Sequence, residues 1–129
     1  MKIAGTIARY LMGLIFVVFG LNGFFQFLPQ TLPPEPLAVQ YATVLMTSHY
    51  LVLIFLLQLV GGLLLLANRF VPLALTILAP IIVNILLFHS LMNPEGIGPG
   101  LFVTICWLLV FVRVRAAFAG LFQATVPGA

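Results

Sequence analysis

Long apolar stretches dominate the chain, and the few charged side chains separate them. The charged residues leave four long uncharged gaps, of 25, 33, 25 and 17 residues, at positions 10–34, 36–68, 70–94 and 96–112. A membrane-spanning helix needs about 17–25 residues, because each residue advances the helix by about 1.5 Å. Three gaps therefore fit one span each, and the longest gap fits one span and a further short element.

The surplus residues lie at the start of the longest gap. After Pro36, the polar residues Gln40, Thr43 and Thr47 recur at helical spacing on an otherwise apolar segment. This pattern is typical of a short amphipathic helix at the membrane interface. The predicted helix covers about residues 36–48.

Breaks in the apolar pattern define the four predicted spans. They are Tyr10–Leu28, Tyr50–Ala67, Pro72–Leu91 and Pro99–Val112. Prolines follow the first span, and the proline- and glycine-rich stretch 93–100 is typical of a loop. The predicted fold is all-α, with a single membrane domain over residues 1–129. It is a four-transmembrane-helix bundle with a short interfacial helix between spans one and two.

Composition also favours a membrane protein. Apolar residues make up 64% of the chain and charged residues 5%, and the mean hydropathy is +1.29. An ordinary soluble domain is about 45–50% apolar and about 25% charged. So few charges cannot cover a soluble surface, which excludes a water-soluble monomer and leaves no basis for binding nucleic acid. The single cysteine excludes an intramolecular disulfide.

With four spans, the charges sort by sign. All five basic residues fall on one side of the membrane, and Glu35 and Glu95 fall on the other. The positive-inside rule then predicts that both termini and Arg69 are cytoplasmic and that both glutamates are outside, in a prokaryotic-type inner membrane. Basic residues at the cytoplasmic face attract anionic lipid, so membrane lipids are predicted partners.

Polar side chains within the spans are the candidate functional residues, because they are costly in hydrocarbon unless they are paired. The candidate ligand-binding residues are Asn22, Gln26, Gln58, Asn84 and His89. Asn22 and Gln26 are four residues apart and are expected on one helix face. Asn84 and His89 are about 140° apart around a helix and cannot both face one centre. The set forms either interhelical hydrogen bonds or a ligand pocket open to the outside.

The spans contain no recognisable catalytic or metal-binding constellation. No acidic residue lies in any predicted span, so paired carboxylates and a carboxylate proton relay are excluded. No histidine or cysteine spacing is typical of zinc or haem ligands. We therefore predict no catalytic residues and no metal ligands, which favours a role other than catalysis.

Three stretches of the chain carry a resemblance to a known family. They are Arg9 followed by Gly13, Phe16 and Gly20; Gly61–Leu66 running to Arg69–Phe70 and Pro72–Ala74; and Asn84 with Phe88–His89. Over about residues 5–115 the chain resembles the DoxX-like family of small four-helix membrane proteins. The resemblance implies a four-helix bundle and a quinone-linked setting, since the family's namesake is associated with a sulfur-oxidising or quinol-oxidase complex. Many relatives have a glutamate near the position of Gln58, which is neutral here.

Three functional hypotheses follow. The first is a non-catalytic accessory subunit of a larger bioenergetic or redox membrane complex, packed against other membrane protein subunits. The second is a quinone- or lipid-binding membrane protein of oxidoreductase type with an outer-leaflet polar pocket. The third is a small transporter that acts as an oligomer, because four spans alone would not build a transport path. The candidate cofactors are a bound quinone, a lipid, or a pigment shared with a partner subunit.

Overall fold

Helices account for nearly all of the computed structural model, which describes residues 2–29 and 33–128. The helices are α1 Lys2–Phe25, α2 Pro36–Thr47, α3 Tyr50–Ala67, α4 Val71–Leu91 and α5 Ile97–Val114, with 3-10 turns at Pro94–Gly96 and Arg115–Phe122. Four helical stretches, formed by α1, α3, α4 and the segment containing α5, are long and apolar enough to cross a membrane. The predicted all-helical chain with four long apolar helices is confirmed, and a short helix follows the first of them.

The turn between α3 and α4 explains why these two helices agree closely with their predicted bounds. Asn68 adopts a left-handed conformation with φ of 54° directly after α3. The backbone N–H of Arg69 then donates to the carbonyl of Leu64 over 3.0 Å. Asparagine tolerates this conformation better than most residues and is common at helix ends. Pro72 follows in the first turn of α4, where its missing N–H costs nothing.

The first helix begins eight residues before its predicted start. The prediction treated Arg9 as a boundary, but α1 runs through it from Lys2. Arg9 is buried, and its Nη1 donates a hydrogen bond to the carbonyl of Leu65 in α3. An arginine whose charge is met by a neighbouring helix does not end a helix, which is why the charge pattern placed the start too late.

The first helix also ends three residues before its predicted end at Leu28. Gln26 leaves the helix with φ of 51°. The backbone N–H of Leu28 then bonds to the side-chain Oδ1 of Asn22 over 2.7 Å instead of to a helical carbonyl. Asn22 thus closes α1 from within its last turn, before the prolines that were expected to stop it.

The last helix is followed by an element that the sequence did not predict. Residues Arg115–Phe122 form a 3-10 helix beyond the predicted span Pro99–Val112. Phe118 is buried, and its ring centroid lies 5.1 Å from that of Phe111 in α5. Burial of this aromatic side chain holds the segment against the bundle.

The four long helices form a ring in which each contacts two neighbours. Helices α1 and α4 each pack against both α3 and α5, and α2 lies against α3. Gly13 of α1 lies against Gly62, and Gly20 lies against Leu59, so α1 and α3 are antiparallel. The largest fully buried side chains are Met12, Leu65, Leu75 and Leu78.

The antiparallel order separates the charged residues by sign. We call the basic end of the bundle the one that carries Lys2, Arg9, Arg69, Arg113 and Arg115. The acidic end carries Glu35, which precedes α2, and Glu95, which lies between α4 and α5. The 21 residues of α4 separate the two ends by about 31 Å.

Glycines bring the backbones of α1 and α3 into contact. A Cβ atom at Gly62 would lie 2.8 Å from the carbonyl oxygen of Gly13, and one at Gly20 would lie 2.9 Å from the backbone nitrogen of Leu59. Neither neighbour is a side chain that could rotate away. Small residues at helix crossings permit this close approach in membranes, where packing is the main attraction between helices.

We predict that Gly62→Ala destabilises the bundle by about 1–3 kcal/mol, because the added methyl group must push two backbones apart. Unfolding of the purified protein by dodecyl sulfate in mixed micelles measures the effect. The matched control is Gly98→Ala, because no heavy atom lies within 4 Å of a Cβ at that position. Equal stabilities of the two variants would contradict the close contact.

Candidate functional site

Two cavities lie side by side on the acidic-end half of the bundle. The central cavity, of about 370 Å³, lies among α1, α3, α4 and α5, and its walls include Phe16, Phe55, Gln58, Ile85, His89 and Val103. The side cavity, of about 430 Å³, lies among α2, α3 and α4, and its walls include Tyr41, Tyr50, Gln58, Pro80, Asn84 and Ile85. Of the five predicted site residues, the two cavities bring together Gln58, Asn84 and His89.

Gln58 lines both cavities. It is 8% exposed and lies within the apolar helix α3. No fully enclosed side-chain nitrogen or oxygen in the described part of the chain lacks a hydrogen-bond partner. The amide makes no hydrogen bond to another described residue, so its polar atoms keep access to the cavities. A primary amide offers two donors and an acceptor oxygen, and these are available to a bound molecule.

His89 forms the polar wall of the central cavity toward the acidic end. Its Nδ1 lies 3.1 Å from the carbonyl oxygen of Asn93. A carbonyl can only accept, so Nδ1 carries the hydrogen of this contact, and in the corresponding neutral tautomer Nε2 is an acceptor. Gly96 leaves room for the ring, since a Cβ there would lie 2.6 Å from His89 Cε1. The edge of the ring also contacts Phe88, with centroids 5.0 Å apart.

Asn84 belongs to the side cavity and is paired with Tyr41 of α2. The Tyr41 hydroxyl lies 3.1 Å from Asn84 Nδ2 and 3.3 Å from Oδ1. The Tyr41 ring also stacks on Phe88, with centroids 5.3 Å apart. These contacts fix α2 against α4. The role of Tyr41 was not predicted, because no local pattern points to a partner 43 residues away.

Asn22 and Gln26 lie apart from these cavities, and the helix face that they were expected to share does not form. Asn22 is buried and accepts the hydrogen bond from Leu28 that closes α1. Gln26 follows the end of α1, is exposed, and borders a separate small cavity of about 210 Å³ together with His49. The structure thus gives Asn22 a local structural contact.

The chemistry that the two cavities offer is neutral hydrogen bonding between apolar walls. Neither cavity is lined by a carboxylate, and the described residues include no group of three His, Cys, Asp or Glu side chains that could hold a metal ion. Binding pockets for small molecules are typically apolar, with a few polar groups that fix orientation. The central cavity fits this description, with an amide from α3 and an imidazole from α4.

The comparisons with family models, curated proteins and solved structures find no match for this chain. The functional interpretation therefore rests on the site itself.

We predict that Asn22→Ala lowers stability by about 1–3 kcal/mol, because the N–H of Leu28 loses its acceptor. The same variant should speed amide hydrogen exchange at Leu28. Gln26→Ala is the matched control, since Gln26 is exposed and its side chain bonds to no other described residue. An unchanged exchange rate at Leu28 in the Asn22 variant would show that the side chain does not close the helix.

Proposed function

We propose that this chain is an integral membrane protein that binds an apolar molecule with a hydrogen-bonding head, of the quinone or lipid class, in the central cavity. The observation that carries the proposal is the buried Gln58 amide, which keeps its hydrogen-bonding groups open to a cavity that His89 also lines. Burying an amide that has no hydrogen-bond partner among apolar side chains costs free energy. A bound polar head would supply the missing hydrogen bonds and offset that cost.

The two polar residues suit the two forms of a quinone head in different ways. The amide of Gln58 can donate to a quinone carbonyl or accept from a hydroxyl. His89 in its neutral form accepts through Nε2, because Asn93 occupies the Nδ1 hydrogen. A ligand that carries a hydroxyl group, such as a quinol or a lipid alcohol, is therefore favoured over a fully oxidised quinone. This pairing is in keeping with the quinone-linked setting that the DoxX-like resemblance implies.

We predict that Gln58→Leu and His89→Ala each weaken the binding of decylubiquinol about tenfold, which is the loss of one hydrogen bond to ligand. Titration under reducing conditions into the protein in nanodiscs measures the affinity. The matched control is Gln26→Leu, which replaces an amide by an apolar side chain outside both cavities. The affinity of this variant for decylubiquinol should stay within about twofold of that of the unmodified protein.

The unfolding midpoint of each variant is measured in parallel. If Gln58→Leu and His89→Ala lower that midpoint but leave decylubiquinol affinity unchanged, both residues serve only to hold helices together and the proposal fails. If Asn84→Leu weakens binding and His89→Ala does not, the ligand occupies the side cavity instead.

A specific observation favours a second candidate function, that of a non-catalytic accessory subunit of a redox membrane complex. Asn84 is exposed on the outside of α4, where its amide is paired with the Tyr41 hydroxyl. It borders a broad apolar groove of about 580 Å³ whose walls also include Thr76, Trp107 and Leu121. Purification from native membranes in mild detergent tests this candidate, which requires a stoichiometric membrane partner.

The proposal includes an orientation with the basic end in the cytoplasm of a prokaryotic-type inner membrane. The separation of five basic residues from two acidic ones supports it through the positive-inside rule. In a Cys106→Ser background, we predict that Glu95→Cys reacts with a membrane-impermeant maleimide in intact spheroplasts and that Arg115→Cys reacts only after lysis. The opposite pattern of labelling would reverse the orientation.

A further inference from the structure

Two arginines share a small cavity at the basic end, at the far end of the bundle from the proposed ligand site. This arginine cavity has a volume of about 180 Å³, and its walls include Gly5, Thr6, Arg9, Asn68, Val110 and Arg113. The residues come from α1, from α5 and from the turn after α3. Two cationic side chains thus line one cavity, together with an amide and a hydroxyl.

Arg9 brings a charge that is largely removed from solvent. The residue is 9% exposed. Its Nη1 donates to the carbonyl of Leu65, and its guanidinium carbon lies 4.3 Å from the centroid of the Tyr10 ring. A guanidinium has five N–H donors, and this one makes a single hydrogen bond to the rest of the described chain. A carbonyl and an aromatic face reduce the cost of burying the charge but do not neutralise it.

Arg113 is held in place beside this site by α1. Its Nη1 donates to the carbonyl oxygen of Lys2 and to Oγ1 of Thr6, each over 3.0 Å. The absence of a side chain at Gly5 makes room for it, because a Cβ there would overlap with Cδ of Arg113. The second cation is therefore positioned by neutral groups and keeps its full charge.

No carboxylate side chain is within reach of either arginine. The chain has only Glu35 and Glu95, and neither lines the arginine cavity; Glu95 follows the far end of α4, about 31 Å from the basic end. This distance is several times the screening length of about 8 Å at physiological ionic strength. Arg113 is exposed to solvent, whereas Arg9 is buried, so a negatively charged partner for Arg9 at this cavity would come from outside the described chain.

We propose that the arginine cavity binds a phosphate group, carried either by an anionic phospholipid headgroup or by a soluble phosphate. The planar fork of a guanidinium matches two phosphate oxygens, and two such groups with the Asn68 amide supply donors on several sides. The volume of the cavity fits one phosphate headgroup and is small for a nucleotide. This site is independent of the proposed ligand site, because the two share no residue.

Native mass spectrometry of the protein in phosphatidylcholine nanodiscs, with and without a small fraction of phosphatidic acid, tests the lipid source. We expect retention of phosphatidic acid over phosphatidylcholine, reduced about tenfold in Arg113→Gln, which is the effect of losing one charge-assisted contact. The matched control is Arg115→Gln, which removes the same charge from the same end but lies outside the cavity. Retention of phosphatidic acid by Arg115→Gln should stay within about twofold of that of the unmodified protein.

A second variant moves Arg113 without changing any charge. Gly5→Ala should reduce retention of phosphatidic acid as Arg113→Gln does, because the new methyl group occupies the space of the Arg113 side chain. Gly120→Ala is its control, since nothing lies within 4 Å of a Cβ there. Unfolding midpoints verify that each variant is folded, and the Arg113 and Arg115 pair decides the result if Gly5→Ala does not fold.

Inorganic phosphate titrated into phosphatidylcholine nanodiscs tests the soluble source. A rise in unfolding midpoint that Arg113→Gln abolishes and Arg115→Gln keeps supports a site for free phosphate. Retention of phosphatidic acid with no response to inorganic phosphate supports a lipid site. Equal losses in Arg113→Gln and Arg115→Gln, or no response to either probe, would overturn the proposal.

Discussion

The backbones of α1 and α3 touch where glycines leave no side chain between them, and the positions of both candidate sites depend on this contact. In a bilayer, lipid tails are as apolar as the helices, so close packing has to hold the helices together. The contact extends from Gly13 and Gly62 to Gly20 and Leu59. Toward the basic end it brings Arg9 to the carbonyl of Leu65.

The same bundle carries two kinds of polar chemistry and keeps them apart. Toward the acidic end, the central cavity has only neutral groups, an amide and an imidazole, between apolar walls. Toward the basic end, the arginine cavity has two guanidinium groups. Neutral polar groups cost less to bury at depth than charges do, and the charges remain near the ends, where lipid headgroups and water are within reach.

The bounds of α3 and α4 were predictable because local signals set them. The apolar run of α3 ends at Asn68, which tolerates a left-handed turn, and Pro72 lies in the first turn of α4. The bounds of α1 were less predictable. Its start depends on a hydrogen bond between Arg9 and a distant carbonyl, and its end on a bond from Leu28 to the Asn22 side chain.

The sequence indicated which polar residues belong to the candidate site better than it indicated which of them lie together. A glutamine such as Gln58 within an apolar run is conspicuous in any sequence, and so is His89. That Tyr41 would pair with Asn84 depends on how α2 folds back over α4, which no spacing rule specifies. The arginine cavity could not be predicted from the sequence. Gly5, four residues before Arg9, makes room for the side chain of Arg113, which lies more than 100 positions away.

The bond from Arg113 to the carbonyl of Lys2 joins the beginning of the first helix to the end of the last. The connectivity of the bundle is therefore almost circular, and a short linker from Val114 back to Lys2 would complete the loop. The neighbour relations among the four long helices thus form a closed cycle, although the chain passes through them in linear order.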